Sequence, residues 1–258
     1  MSDAWIRAFV ALPFGLVVGS FMTVAVSRLP KGESVVRPRS RCPACGAEIG
    51  ARDNVPVVSW LLLRGRCRRC GERISAEYPL LELTTAGLVV LAAVRYPDPW
   101  QVVLVGGLLA LMPGITLIDL RHRIIPNKLT YPALVVFTPV ILLAWLLGDA
   151  ADPVKAALGF LSFGGGIFVV AAISRGMGFG DVKLAALIGL VLGSLGLRFV
   201  GVAAGATIVL GGLGGILALA LGRGMKSKIP YGPYLAAGAV VAGLWGDPLA
   251  SWYLDRLV

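Results

Sequence analysis

The chain has 258 residues, 57% of them hydrophobic and only 15% charged, with a mean hydropathy of +0.83. Soluble domains are about 45–50% apolar, so the composition excludes an ordinary soluble globular protein and indicates an integral membrane protein. The formal net charge of +10 is accounted for by membrane orientation, because the basic residues gather on alternate connections, and it implies no nucleic-acid partner.

Eight apolar runs follow one another along the chain. They are about Ala4–Val26, Leu80–Val94, Trp100–Ile118, Leu129–Leu147, Val154–Ile173, Val182–Leu195, Phe199–Leu221 and Tyr234–Leu244. A spanning helix takes about 20 apolar residues, with a range of about 17–25. The second, sixth and eighth runs are short by that measure, so their helices must recruit polar-looking ends. Eight spans is the preferred count, with six or seven open. The first run is expected to stay attached: Asp3 accompanies Arg7 before it, the run is long, and Arg28 and Lys31 follow it as a stop-transfer flank. With the N-terminus outside, the inner segments carry Arg28 to Arg73 and then Arg121, Arg123, Lys128, Arg175, Lys183, Arg223, Lys226 and Lys228, leaving only Arg7, Arg95, Lys155, Arg198 and Arg256 outside. The opposite orientation would invert the positive-inside bias. Part of the basic surface is also suited to anionic headgroups.

The fold class expected is therefore an all-α polytopic membrane protein of about eight transmembrane helices with a small cytoplasmic zinc-ribbon-like domain. Three units are read: a first helix over 1–27, a cytoplasmic four-cysteine domain over 28–79, and a membrane domain of about seven helices over 80–258. The 28–79 insertion is polar and holds all four cysteines, "CPAC" at Cys42 and Cys45 and "CRRC" at Cys67 and Cys70. Cytoplasmic thiols stay reduced. Two C-x2-C knuckles separated by 21 residues have the spacing of a four-cysteine zinc site, with another thiol-bound metal, free thiols or disulfides as the alternatives. Gly46 and Gly71, each just after a second cysteine, suit the turns. Four cysteine ligands leave no open position, so the metal is a staple for a domain poor in core residues. No internal repeat is evident. The glycines inside the runs, Gly164–Gly166, Gly211, Gly212, Gly214 and Gly215, read as close helix packing.

Three acids sit at the inner edge of spans, where charge is expensive and usually functional: Glu82, Asp119 and Asp181. Asp119 ends the third span and Asp181 opens the sixth, so the topology alone brings two distant carboxylates to one membrane depth. They could simply mark the aqueous boundary, paired with Arg121, Arg123 or Lys183. The local chemistry points further. Gly178 and Gly180 flank Phe179 just before Asp181, a stretch that permits positive φ and close approach of another backbone. Pro126 limits helix continuation after Asp119. Irregular backbone at membrane depth is tolerated where it is buried in protein or lines a wet cavity. Two adjacent carboxylates share a proton, so one can activate water while the other polarises a carbonyl. That is aspartyl protease chemistry. The lone His122 lies in a run of charges and reads as a solvated loop residue. A proton-coupled transporter using the pair is the rival reading, but acids deeper in the spans are missing.

Taken together, these residues resemble the type IV prepilin peptidases, membrane aspartyl proteases of the GxGD type. "GSFMTVAVSRLP" (Gly19–Pro30) is similar to the family's first-helix exit. "RCPACGAEI", "NVPVVSWLLLRGRC" and "ISAEYPLLELT" resemble its cytoplasmic domain. "GFGD" (Gly178–Asp181) resembles its second catalytic motif, and "KIPYGPYLA" (Lys228–Ala236) its late proline–glycine motif. Thr23 and Asn127 stand where the family commonly has Asn and Asp. The resemblance implies cleavage of the basic leader of prepilins or pseudopilins after a glycine at the cytoplasmic face of the bacterial inner membrane, with Asp119 and Asp181 catalytic and Cys42, Cys45, Cys67 and Cys70 holding zinc. It also implies N-methylation of the new terminus from S-adenosylmethionine, with Gly65 matching the family's methyl-donor glycine. No Rossmann fingerprint accompanies it, so peptidase activity alone is the alternative, and Gly65 reads equally as a turn into the second knuckle. Substrate contact is expected from Gly178, Gly180, Glu82, Tyr231, Gly232 and Pro233. Glu82 reads equally as a helix-start acid, and the tyrosines as packing. Because this face is strongly basic, a basic leader requires local acids such as Glu48, Asp53, Glu72, Glu77 and Glu82 to attract it.

Overall fold

The computed structural model describes residues 3–174, 177–222 and 230–256. Arg175, Arg223, Lys226 and Lys228, counted above in the charge bias, and the first residues of the Lys228–Ala236 motif lie outside the described residues. The helices are α1 (Asp3–Arg28), α2 (Val58–Leu62), α3 (Glu77–Arg95), α4 (Pro99–His122), α5 (Asn127–Gly148), α6 (Pro153–Ser174), α7 (Phe179–Leu195), α8 (Leu197–Ala220) and α9 (Gly232–Leu254). Leu29–Lys31 and Ala51–Asp53 form 3-10 turns. Eight of the helices are long, one for each apolar run, and the described residues contain no strand beyond two isolated bridges.

Six of these helices have the length and apolarity of membrane spans: α1, α3, α4, α5, α6 and α8. Helix α7 has 17 residues, and it remains the shortest of the eight. Its surroundings explain this: Leu184, Ala185, Leu187, Ile188, Val191 and Leu192 are wholly buried, so α7 meets protein where its neighbours meet lipid. Helix α3 gains length by recruiting Glu77, as its short apolar run required. Helix α9 is longer than its run, continuing through Asp247 and Pro248 across a kink at Trp245.

Helix starts follow local chemistry. Asp98 caps α4, accepting from the N–H groups of Trp100 (2.8 Å) and Gln101 (3.1 Å), and Pro99 fills the first turn. Asp152 caps α6 in the same way, through Val154 and Lys155. Packing between helices rests on small residues. At the α6–α7 crossing, a Cβ on Gly159 would lie 2.2 Å from the Gly189 carbonyl oxygen, so the two backbones touch. Of the glycines expected to pack closely, Gly164, Gly211 and Gly214 do so against Ala186, Tyr231 and Tyr234, whereas Gly165, Gly166, Gly212 and Gly215 border open space.

The kink in α9 is satisfied from α3. Pro248 has no N–H, which leaves the Leu244 carbonyl without its helical donor. Arg95 Nε donates to that oxygen (3.2 Å), and the buried Tyr96 hydroxyl donates to the Gly243 carbonyl (2.7 Å). Arg95 and Arg198 also pair with Asp247. The end of α3 is thereby pinned to the bend in α9.

Candidate functional site

Asp119 lies in the last turn of α4. That helix stops at Arg123, which adopts a left-handed conformation and donates its N–H back to the Asp119 carbonyl. Asp181 is the third residue of α7. Its carboxylate accepts the Gly178 N–H at 3.1 Å while its own N–H bonds the Gly178 carbonyl at 3.1 Å, so the side chain satisfies one of the free donors of the helix start. The N-terminus of α9 completes the cluster. Gly232 donates its N–H to Asp119 Oδ2 at 2.9 Å, and a Cβ there would lie 2.7 Å from the same oxygen. Both carboxylates are buried, Asp119 to 4% exposure and Asp181 to 9%. Asp181 lies within electrostatic range of Asp119 and of the Tyr231 hydroxyl.

The salt bridges that a boundary-marking role would need are absent among the described residues. Arg121 pairs with Glu77 instead. Lys183 donates to Asn127 Oδ1 (2.8 Å) and lies over the rings of Tyr131 and Phe179, which ties the start of α5 to the start of α7. His122 is exposed at the end of α4.

The remaining candidate residues take varied positions. Gly178 has extended backbone, φ −82°, so its glycine is not explained by a left-handed turn. Gly180 packs on Ile125, to which a Cβ would come within 3.0 Å. Tyr231 precedes α9, half-buried, with its ring 6.0 Å from that of Tyr234. Pro233 occupies the first turn of α9. Gly232, expected to contact substrate, contacts Asp119. Its signal is tertiary and could not be seen in the local sequence.

Glu82 is buried on α3 and accepts the Val57 N–H at 2.7 Å. It thus fastens the 28–79 segment to the helices. Its neighbours among the proposed attracting acids are also engaged: Glu48 with Arg39 (3.2 Å), Asp53 with Arg68 through two nitrogens (2.7 and 2.8 Å), and Glu77 with Arg121. The hydrogen-bonded Arg68 guanidinium holds the Asp53 carboxyl below its usual range. Among the described residues, Glu72 is the one acid of that set whose side chain has no such partner. Most of the acidic charge invoked for attraction is therefore already neutralised by the chain's own arginines.

The four cysteine sulfurs lie within 4.8 Å of one another, Cys42 and Cys70 at 3.8 Å. Tetrahedral zinc with Zn–S near ~2.3 Å requires sulfurs ~3.8 Å apart, so the donor set fits this ion. Backbone N–H groups of Cys70 and Arg69 lower the Cys67 thiol, toward the thiolate that binds metal, while burial and the neighbouring thiols raise that of Cys70. Gly46 (φ 68°) and Gly71 (φ 73°) provide the left-handed turns expected of them. The knuckles also repeat each other. Cys42 N bonds Ala47 O and Ile49 N bonds Ser40 O; 25 positions later Cys67 N bonds Glu72 O and Ile74 N bonds Gly65 O. This duplication was legible as "RCPACGAEI" against "RCRRCGERI" and is a correction to the absence of repeats. Gly65 occupies the place of Ser40 in the second copy, in a left-handed conformation (φ 65°) against the Trp60 ring, where a Cβ would lie 2.9 Å away.

A cavity of about 740 Å³ separates this domain from α1 and α3, with Ser20, Thr23, Trp60, Glu72 and Glu82 among its walls. Its size suits a cofactor-sized molecule, which needs roughly 300–1,000 Å³. Gly65 lies behind its Trp60 wall.

Comparison with known proteins agrees with this architecture. Residues 14–96 match the bacterial peptidase A24 N-terminal domain, and residues 102–222 match the type IV leader peptidase family. A prepilin leader peptidase/N-methyltransferase of Bacillus subtilis (strain 168) is 35% identical over 247 residues, covering 93% of this chain and 95% of that relative. One of Aeromonas salmonicida (strain A449) is 34% identical over 283 residues, covering 98% and 96%. One of Pseudomonas aeruginosa is 35% identical over 277 residues, covering 93% and 91%. No solved structure matches the chain. With both halves matched by family models and relatives aligned along nearly its whole length, the chain belongs to the type IV leader peptidase family.

Proposed function

We propose that this chain cleaves the basic leader from prepilins or pseudopilins with Asp119 and Asp181, at the cytoplasmic face of a bacterial inner membrane, and methylates the new N-terminus. The observation that carries the reading is the convergence of α4, α7 and α9 on two buried carboxylates that lack basic partners among the described residues, each held by one glycine N–H. Both activities also appear in the names of the aligned relatives. The concentration of Lys and Arg on one set of connections supports an outside N-terminus, with the zinc domain and the acids inside.

In this reading the substrate's apolar helix lies in the bilayer and the stretch at its cleavage glycine unwinds to reach the acids. The ionised carboxylate takes a proton from water, and the water oxygen bonds to the scissile carbonyl carbon. The protonated partner donates a hydrogen bond to the carbonyl oxygen. Collapse breaks the C–N bond, and the amine departs with a proton from the pair. Gly178 and Gly232 each hold one oxygen of their acid, leaving the other for the reaction, and the buried setting excludes competing water. Zinc on Cys42, Cys45, Cys67 and Cys70 holds the cytoplasmic domain and takes no part in hydrolysis, because four thiolates fill its coordination.

S-adenosylmethionine, when bound, supplies an electrophilic methyl group to the neutral N-terminal amine. The residues suited to hold it are those around the cavity, with the Trp60 face and the Glu72 carboxylate offered to its aromatic and cationic parts. Gly65 acts here through Trp60.

The deciding experiment co-expresses a prepilin with Asp119→Asn or Asp181→Asn variants. Each should abolish cleavage while the protein persists in the membrane. Cleavage retained in either variant overturns the mechanism. Labelled methyl donor added to purified protein and prepilin tests the second activity.

A further inference from the structure

Inside the polar 28–79 segment, the stretch "VPVVSWLLL" (Val55–Leu63) is apolar. Its centre is the short helix α2. A small domain with few core residues should bury such side chains, yet Leu62 is 78% exposed, Leu61 61% and Val58 48%. The opposite side of α2 is anchored. Ser59 is buried, donating to the Arg52 carbonyl and accepting the Val55 N–H, both at 3.0 Å, and the Trp60 indole donates to the Ile74 carbonyl. The exposed face is therefore fixed by design of the fold, and it is a contiguous apolar surface that water disfavours.

Its depth is fixed too. Val57, a β-branched residue in the unfavourable positive region (φ 62°), gives its N–H to Glu82, and Glu82 lies inside the membrane-length helix α3. On α3 the residues beside Glu82, Leu80 and Leu83, are themselves exposed and apolar, as lipid-facing residues are. The start of α2 thus sits at the level where α3 begins to meet lipid. Arg52, Arg64 and Arg66 are exposed around it, and no ion pair engages Arg64 or Arg66 among the described residues. Apolar side chains beside unpaired cations are the pattern of a helix lying in the boundary between headgroups and acyl chains.

We propose that α2 is an interfacial foot: Val58, Leu61 and Leu62 enter the bilayer, while Arg64 and Arg66 engage anionic lipid headgroups. The foot presses the zinc domain onto the membrane. A bilayer fits this face better than a substrate helix does. A basic leader is repelled by the flanking arginines, and the foot is tied to α3 through Val57 and Glu82, whereas the carboxylates are carried by α4, α7 and α9.

The test places a photo-cross-linking benzoylphenylalanine at Leu62 in the full-length, zinc-loaded protein, reconstituted in vesicles of phosphatidylcholine with or without phosphatidylglycerol. Lipid adducts are expected at Leu62 and not at Ala44, an exposed position between the first two cysteines. Their yield should rise several-fold with phosphatidylglycerol, and Arg64→Glu with Arg66→Glu should remove that rise. Absence of lipid adducts at Leu62, adducts only to a second copy of the chain, or, when prepilin is added to the vesicles, adducts only to it, overturns the proposal. Zinc content measured on each variant shows that the domain remains folded, so loss of adducts cannot be assigned to collapse.

Discussion

Gly232 rests its backbone N–H on Asp119 Oδ2, 2.9 Å away in space and 113 positions distant in sequence. A side chain at 232 would collide with that oxygen, so the glycine and the acid form one unit. Gly232→Ala is expected to lower kcat for prepilin cleavage by ~10- to 100-fold, the equivalent of a lost buried hydrogen bond of ~1–3 kcal/mol, with KM little changed. A change confined to KM would assign Gly232 to substrate contact instead.

Glu82→Gln tests the fastening of the zinc domain. The amide keeps an oxygen for the Val57 N–H, so the variant should resemble the parent, whereas Glu82→Ala should lose ~1–3 kcal/mol of local stability. Limited proteolysis within 28–76 reads this directly, through faster cutting of the alanine variant. Equal loss of leader binding in both variants, with proteolysis unchanged, would instead favour a direct electrostatic role.

Metal analysis should find one zinc per chain. Substituting Cys45 or Cys70 with serine should reduce zinc content and raise proteolysis of the knuckles, because metal binding and folding of such a domain are coupled. Prepilin cleavage should survive better than methyl transfer, since the carboxylates are carried by other helices. Normal zinc content in both variants would sink the four-thiolate assignment.

At the α6–α7 crossing, Gly189→Val should destabilise the bundle by ~1–3 kcal/mol, the usual cost of overpacking. Its Cβ would lie 2.2 Å from the Gly159 carbonyl oxygen. The unfolding midpoint in detergent should fall. At Gly212, where nothing lies within 4 Å, the same substitution should leave the midpoint nearly unchanged.

The long helices were legible because hydropathy reports directly on burial in lipid or protein. Asp119 and Asp181 were singled out together because one ends an apolar run and the other opens one, and the structure buries both near the start of α9. What escaped the sequence was tertiary. Glu82 looked like a helix-start acid or a site for a basic leader, and nothing near it announces the Val57 N–H. Glu48, Asp53 and Glu77 looked available for attraction, yet each found an arginine of the chain, a choice among many cations that composition cannot make. Gly178 suggested a left-handed turn and proved extended, while Gly232 served the carboxylate directly. The knuckle duplication, by contrast, was written in the sequence and needed only the two segments to be set side by side.

Helix α9 is a strut bolted at its bent end by Tyr96 and Arg95 and bearing on Asp119 at its other end. From Gly232 to Gly243 is ~17 Å at a rise of ~1.5 Å per residue. A change of slant introduced at the far bolt is therefore delivered to the carboxylate by leverage, with no altered neighbour of Asp119 to mark where the damage began.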